Sequence, residues 1–181
     1  PRGCGDALMS PKRPVPTGSP ADGPWWTRPD PTGETDTGEF GLRFECTQCG
    51  NCCTGPSGYV QYTDDEANAM ARDLGITREA FDARYTRDTI FGPSLTETET
   101  EFGFDCVFLD RETTPGKALC RVYRSRPAQC RTWPFWKDNL KSPSHWSRAT
   151  RTCPGMNTGT LHPPETIALT VERDTGAARE G

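Results

Sequence analysis

The residues with the densest chemistry are Cys46-Thr47-Gln48-Cys49-Gly50-Asn51-Cys52-Cys53, four thiols in an eight-residue stretch. Neighbours this close seldom all need to be packing residues, but they can all be metal ligands, because a thiolate need only reach an ion from a short loop. Cys106, Cys120, Cys130 and Cys153 follow at wide intervals and bring the candidate set to eight. Eight thiolates suffice for two closed four-thiolate zinc or iron sites, or for an iron–sulfur cluster of the 4Fe-4S type plus a second site. Cys46-x-x-Cys49-Gly50 has the form of a metal knuckle. Two intervening residues let both sulfurs face one ion, and a glycine after the second allows a positive φ that turns backbone N–H groups toward sulfur. Adding Cys52 gives C-x2-C-x2-C, the opening of a ferredoxin-type cluster run, and Cys153-Pro154 supplies a remote Cys-Pro pair. The short C-x3-C-P closure is missing. Cys53, one residue beyond Cys52, is free to swing to the other side of the loop and serve a second site.

Disulfides explain the pattern less well than metal. The chain has nine cysteines, an odd number. A bridge between the adjacent Cys52 and Cys53 would strain the bond's geometry. No export signal or bilayer-length apolar run is visible, so the expected setting is a reducing cytoplasm without membrane insertion. Cys4 stands apart from the other thiols and is excluded as a ligand.

These thiols need a scaffold that a lean chain must supply. Of 181 residues, 33% are hydrophobic, while glycine (18) and proline (17) are abundant. Much of the backbone is therefore loop, and bound metal is a common way to hold a thin core together. The expected fold class is α+β: a small, loop-rich, metal-stabilised domain with short helices and a small antiparallel sheet. Residues 1–38 carry Pro and Gly with little aliphatic content and read as a disordered leader. Trp25-Trp26 within it is expected to be incidental. Residues 39–162 form the cysteine-cluster domain, and 163–181 a C-terminal tail, frayed from about Thr170, with room for a short helix.

Within the domain, Phe40–Glu45 alternates as a strand leading into the cysteine loop, and Gly58–Tyr62 reads as a second strand. Thr63-Asp64-Asp65-Glu66 has the pattern of a capping box. Ala67, Met70, Ala71 and Leu74 follow at helical spacing, and Gly75 is the stop. A second helix starts near Thr77, with Phe81 and Tyr85 on one face. Leu95–Phe104 reads as an exposed hairpin arm and Asp105–Asp110 as a buried strand. Ala118–Tyr123 returns antiparallel and carries Cys120. Pro127 opens a short helix bearing Cys130, and another helix near Ser144–Arg151 leads to Cys153.

The charge is unevenly placed. Tyr62–Glu112 holds 13 acids and 5 arginines, while Cys120–Arg151 holds 8 Lys or Arg and one acid, Asp138. The basic segment suits nucleic acid or thiolate neutralisation. The second reading is preferred, because four thiolates on a divalent ion leave about two negative charges and no nucleic-acid motif accompanies the arginines. Arg126 and Arg131 are candidates for an anion grip, and equally for thiolate neutralisation or a salt bridge to the acidic half. His145 and His162 do not form H-E-x-x-H; His145 could be a ligand or a proton carrier, but is expected to pack or face solvent, eight thiols already filling the sites. Trp133, Phe135, Trp136 and Trp146 could stack on a ligand, but are expected to build the core.

Phe44-x-Cys46-x-x-Cys49-Gly50-x-Cys52-Cys53 resembles the signature of the YkgJ-type cysteine-cluster family of zinc- or iron-chelating domains. Cys106-Val107-Phe108-Leu109 resembles that family's "CxFL" strand. Cys120-Arg121-Val122-Tyr123-x-x-Arg126-Pro127-x-x-Cys130-Arg131-x-x-Pro134-Phe135, then Trp146 and Cys153-Pro154-Gly155, resemble its later segments in the same order. The resemblance runs from about Phe44 to Gly159. It implies a bacterial, cytoplasmic protein with zinc or iron bound by the eight cysteines, and fixes no reaction. One branch of the family is linked to flagellin lysine N-methylation, which would imply S-adenosylmethionine and a cluster. A nucleic-acid or protein interaction module using segment 120–151 is a third reading; no protein partner is indicated.

Overall fold

A computed structural model describes residues 23–27 and 40–177, with side chains through 173. The rest of the leader, Cys4 included, lies outside the described residues, as does the end of the tail. Among the described residues, no helix is long and apolar enough to cross a membrane.

Short strands and short helices alternate, as a chain rich in turns dictates. The order is β1 (Leu42–Phe44), α1 (Asp64–Asp73), α2 (Arg78–Tyr85), β2 (Thr86–Thr89), β3 (Gly92–Leu95), β4 (Glu97–Thr100) and β5 (Gly103–Cys106). Then come β6 (Leu109–Asp110), β7 (Leu119–Cys120), α3 (Ala128–Thr132), α4 (Lys137–Leu140), α5 (Pro143–Ala149), β8 (Met156–His162) and α6 (Pro164–Ala177). Strands pair antiparallel in twos: β1 with β8, β2 with β3, β4 with β5, and β6 with β7. This is the expected small α+β architecture, divided into four ribbons rather than one sheet.

Local signals explain the first half. Thr63 caps α1, its Oγ1 accepting from the Glu66 N–H while the Thr63 N–H donates to the Glu66 carboxylate at 3.0 Å. Thr77 caps α2 in the same position. Ala67, Met70 and Phe81 are buried, and with Ala71, Leu95, Phe108 and Val122 they make one core, on which Tyr62, Tyr85, Cys106 and Cys120 pack.

Four expectations need correction. Gly58–Tyr62 forms no strand; Gln61 makes an isolated bridge to Ser94, and Val60 O accepts from the Leu95 N–H. Side chains take the place of a ladder, Ser94 Oγ accepting from the Val60 N–H and Gln129 Oε1 from the Gln61 N–H. The strand foreseen over Asp105–Asp110 is broken into β5 and β6, and the turn between them seats Phe108 in the core. The tail forms a helix, α6, for which it had room, but α6 runs on past Thr170 where fraying was expected, with Ile167 fully buried in a second, aromatic core. Trp25 and Trp26, finally, are not incidental. Trp25 lies against Trp146 with ring centroids 6.1 Å apart, and its indole N–H donates to the Leu140 carbonyl at 2.8 Å.

That second core holds Leu42, Phe135, Leu140, Trp146, Cys153, Met156 and Ile167, with Phe44 and Trp133 at its edge. β1 and β8 close it: Leu42 faces His162 and Phe44 faces Met156, with a bulge between. Gly155 permits a close crossing there. A Cβ on it would lie 2.1 Å from the Glu45 carbonyl oxygen, whose residue donates its N–H to Gly155 O.

Candidate metal centre

The cysteine loop runs between the two cores and is tied to both. On one side Asn51 Nδ2 donates to Thr152 O, at 2.7 Å, beside Cys153. On the other, the Cys106 N–H donates to Cys53 O and the Ala118 N–H to Gln48 O. The knuckle geometry is the one its glycine foreshadows: Gly50 has φ +76°, and Gln48 is also left-handed at φ 58°. A side chain at position 50 would collide with Ala118 Cβ at 2.6 Å.

Six of the eight candidate thiols, Cys46, Cys52, Cys53, Cys106, Cys120 and Cys130, line one cavity of about 330 Å³. Cys106 is delivered by β5, Cys120 by β7 and Cys130 by α3. Cys49 and Cys153 stand apart from this cavity, close enough to each other for their charges to interact. All eight are free thiols. Cys52 Sγ lies 3.7 Å from Cys53 Sγ. Among the described residues, no three His, Cys, Asp or Glu side chains surround one point closely enough to hold an ion as they stand. Closing a four-thiolate shell therefore takes side-chain rotation around the cavity.

Electrostatics shows what such a closure would relieve. The hydrogen bond from Cys53 holds the Cys52 thiol down to about 7, against the opposing effect of burial. That same bond, followed by burial, pushes Cys53 up. Burial is the leading cause of raised thiols elsewhere: Cys106 reaches about 11, and Cys120, Cys130 and Cys153 all move up. Against burial, the Arg126 guanidinium favours the charged forms of Cys52, Cys120 and Cys130. Arg126 lies over the Tyr123 ring at 3.8 Å, and its buried Nε has no hydrogen-bond partner. The buried Trp133 indole N–H also lacks a well-formed hydrogen bond, but it faces the Cys153 sulfur and partly offsets the burial of that thiol.

This donor set fits zinc or iron. A cluster of neighbouring, partly shielded thiols is costly to ionise alone, and a soft cation reverses the cost outright. A nearby guanidinium charge and an indole N–H facing sulfur are the kind of partners thiolates need around a metal.

The remaining candidates fall into place as structure. Arg131 is ion-paired with Glu66 at 3.0 Å. His145 Nδ1 meets Ser142 Oγ at 2.7 Å at the start of α5, and His162 Nε2 lies 3.0 Å from Phe44 O with its ring against Phe135. Phe135 and Trp146 are core, whereas Trp133 and Trp136 line the cavity. Sequence reasoning did not single out Tyr123 or Gln48 as cavity-wall residues, nor Arg111, whose charge acts on both Cys53 and Cys49. The Arg-after-strand spacing of Arg111 carries no signal that would have marked it.

No solved structure matches this chain. A family model does, over residues 45–154: "CxxCxxCC: Putative zinc- or iron-chelating domain". That span takes in the knuckle and all four distant cysteines and covers well over half the sequence. The chain belongs to the CxxCxxCC family.

Proposed function

We propose that this protein binds zinc or iron through Cys46, Cys49, Cys52, Cys53, Cys106, Cys120, Cys130 and Cys153, with the metal holding the two cores together. The supporting observation is that cysteines from four separate elements converge on one cavity beside Arg126. Bound metal would supply cross-linking and charge, as two four-thiolate centres or as an iron–sulfur cluster with a second site. The chain's own residues do the rest. Gly50 lets the knuckle turn, and Arg126 and Arg111 balance the thiolates. Cytoplasmic residence suits this role, since a reducing medium keeps the thiols available.

The test is anaerobic purification followed by elemental analysis, an absorption spectrum and a thiol count. Zinc or iron with most thiols protected is the expected result. Folded, metal-free protein whose thiols all titrate freely would end the proposal.

A second reading has one observation in its favour. The cavity exceeds the room one ion needs, and Tyr123, Trp133 and Trp136 form an aromatic wall beside the thiols. That suits a small molecule bound next to the metal, as in S-adenosylmethionine-dependent protein lysine methylation. Calorimetry of the metal-loaded protein with S-adenosylmethionine tests it: absence of a binding signal removes this reading. The nucleic-acid reading is weaker, because Arg126 lines the thiol cavity and Arg131 is committed to Glu66.

A further inference from the structure

We propose that the hairpins β2–β3 and β4–β5 present a docking surface for another protein, and that it takes a segment carrying arginine or lysine together with apolar side chains. The exposed residues of this surface, Tyr59, Ile90, Phe91, Phe102 and Phe104, do not line the thiol cavity. The inference therefore goes beyond metal binding and does not depend on it.

Both hairpins turn in the same way. Thr89-Ile90-Phe91-Gly92 and Thr100-Glu101-Phe102-Gly103 each set a threonine before the turn and a glycine after it. Thr89 Oγ1 donates to Gly92 O at 2.7 Å and accepts from the Phe91 N–H. Thr100 Oγ1 donates to Gly103 O at 3.0 Å and accepts from the Phe102 N–H. Gly92 and Gly103 supply left-handed backbone, with φ +99° and +110°. Threonine, glycine and backbone thus make the turn, and the phenylalanine side chain adds nothing to it. Tight turns favour small or polar residues at their centre. Yet Ile90 is 88% exposed, Phe91 60% and Phe102 56%.

The exposure is clustered. Eight large apolar side chains are exposed among the described residues, and five of them lie on these two hairpins and the segment between them. That segment, 54–59, is tied to both tips. Thr54 Oγ1 donates to Phe102 O at 3.3 Å, the Phe104 N–H donates to Gly55 O, and the Tyr59 ring lies against Phe91 with centroids 5.2 Å apart. Between the tips, Glu97 of β4 accepts from Ser57, Gly58 and Arg87 of β2. Six residues span at most about 20 Å, so one partner of ordinary interface size reaches both tips. Clustered exposed aromatics of this kind mark interaction surfaces.

Charge selects the partner. Arg87 and Arg111 lie over the Tyr59 and Phe102 rings, and each is spent on a carboxylate, Glu97 and Asp105, at 2.7 Å. Asp88, Glu99 and Glu101 are exposed and make no ion pair among the described residues. Glu99 stands directly across the β4–β5 ladder from Phe104, so a carboxylate and a ring are presented side by side. That pairing suits a guanidinium or ammonium group with an apolar neighbour. Nucleic acid and anionic lipid would meet like charge instead.

A phage-displayed library of random peptides, each about 12 residues long, panned on the purified chain reads the partner's chemistry directly. The expected clones carry net positive charge with aromatic or aliphatic anchors, and bind the parent chain but not F91S/F102S. Both rings are exposed, so F91S/F102S is expected to keep the parent's melting temperature and metal content. The dissociation constant of one synthesised clone should rise at least about tenfold in F91S/F102S and in E99K/E101K. It should stay unchanged in L169S, which removes an exposed apolar side chain elsewhere. E99K/E101K keeps both rings, and so carries the test alone if F91S/F102S melts lower. Clones indifferent to both double variants, clones of net negative charge, or no clones at all would overturn the proposal. A dimer in sedimentation that F91S/F102S breaks would give the surface to a second copy. Flotation with phosphatidylglycerol vesicles that F91S/F102S abolishes would give it to a membrane. Either result would overturn the assignment to a basic protein segment.

Discussion

The two cores are assembled from the chain in opposite ways. The helical core draws on residues 60–122, with α1, α2 and the β2–β3 hairpin following one another directly. The aromatic core collects Trp25, Leu42, Phe135, Trp146, Met156 and Ile167 from across the chain, and β1 meets β8 only after more than a hundred residues. Local pairing can form early and cheaply, whereas distant closure must overcome loop entropy before any contact rewards it. The thiols sit at the junction: Cys106 and Cys120 pack on the helical core, and Cys153 belongs to the aromatic one. Metal at this junction would do what a single large core does in a bigger protein. The distant half should depend on it more than the local half.

Metal removal is the largest expected break in that comparison. Apparent binding energies of about 10–16 kcal/mol are typical for a structural zinc site in small domains. A chelator should therefore lower the melting temperature steeply and split one calorimetric transition into two. The near-ultraviolet signal of the Trp146–Phe135 stack should go first. An unsplit, unshifted melt would show that the cores hold together without metal. Core truncations come next. Phe81→Ala and Trp146→Ala should each cost about 3–5 kcal/mol. In the metal-free protein the two should add to within about 0.5 kcal/mol, as independent sites do, and in the loaded protein they should couple. Coupling that persists without metal would contradict two separate cores.

Gly155→Ala tests the distant closure alone. Its Cβ would meet the Glu45 carbonyl at 2.1 Å, so the β1–β8 entry must shift, at a cost of about 1–3 kcal/mol. Thermal melts should show this loss while the Cys106 and Cys120 thiols keep their protection. This closure is also what sequence reading misses. The capping box at Thr63, the Phe81 stripe and the turn at Gly50 are legible because their partners lie within a few residues. The β8 strand, the docking of Trp25 and the burial of Ile167 depend on partners far along the chain, which periodicity does not reveal. The candidate ligands were legible as residues, because cysteine spacing is a chemical signal in itself. How they are gathered, six around one cavity and two beside it, was not.

A pH series sharpens the contrast between the metal-free and loaded forms. Burial raises the Cys106 thiol to about 11 in the folded, metal-free protein, above an unfolded value of about 8.5. The folded state thus prefers the neutral thiol. That stability is fully present below the unfolded value and is lost as pH rises through it toward the folded value. Metal-free melting temperatures should fall between about pH 8.5 and 11. Metal needs the thiolate, so binding releases protons and the affinity for zinc should rise with pH over this range. Parallel pH profiles for the two forms would mean that Cys106 is not a ligand.

The smallest expected effect is confined to the local half. Thr63→Ala removes the side-chain acceptor for the Glu66 N–H and should cost about 1 kcal/mol. Glu66 does more than cap. Its carboxylate also accepts from the Ala128 N–H at 2.6 Å and from Arg131 at 3.0 Å, fixing the start of α3, the helix that carries Cys130. Those bonds survive when Thr63 is shortened, since they do not involve its hydroxyl. Thr63→Ala should therefore lower the melting temperature slightly and leave zinc stoichiometry and Cys130 protection unchanged. Glu66→Ala, by contrast, should loosen α3 and expose Cys130 to alkylation at limiting zinc. If Thr63→Ala already exposed Cys130, the capping box would be part of the metal centre's support, and the helical core would not be the self-sufficient half.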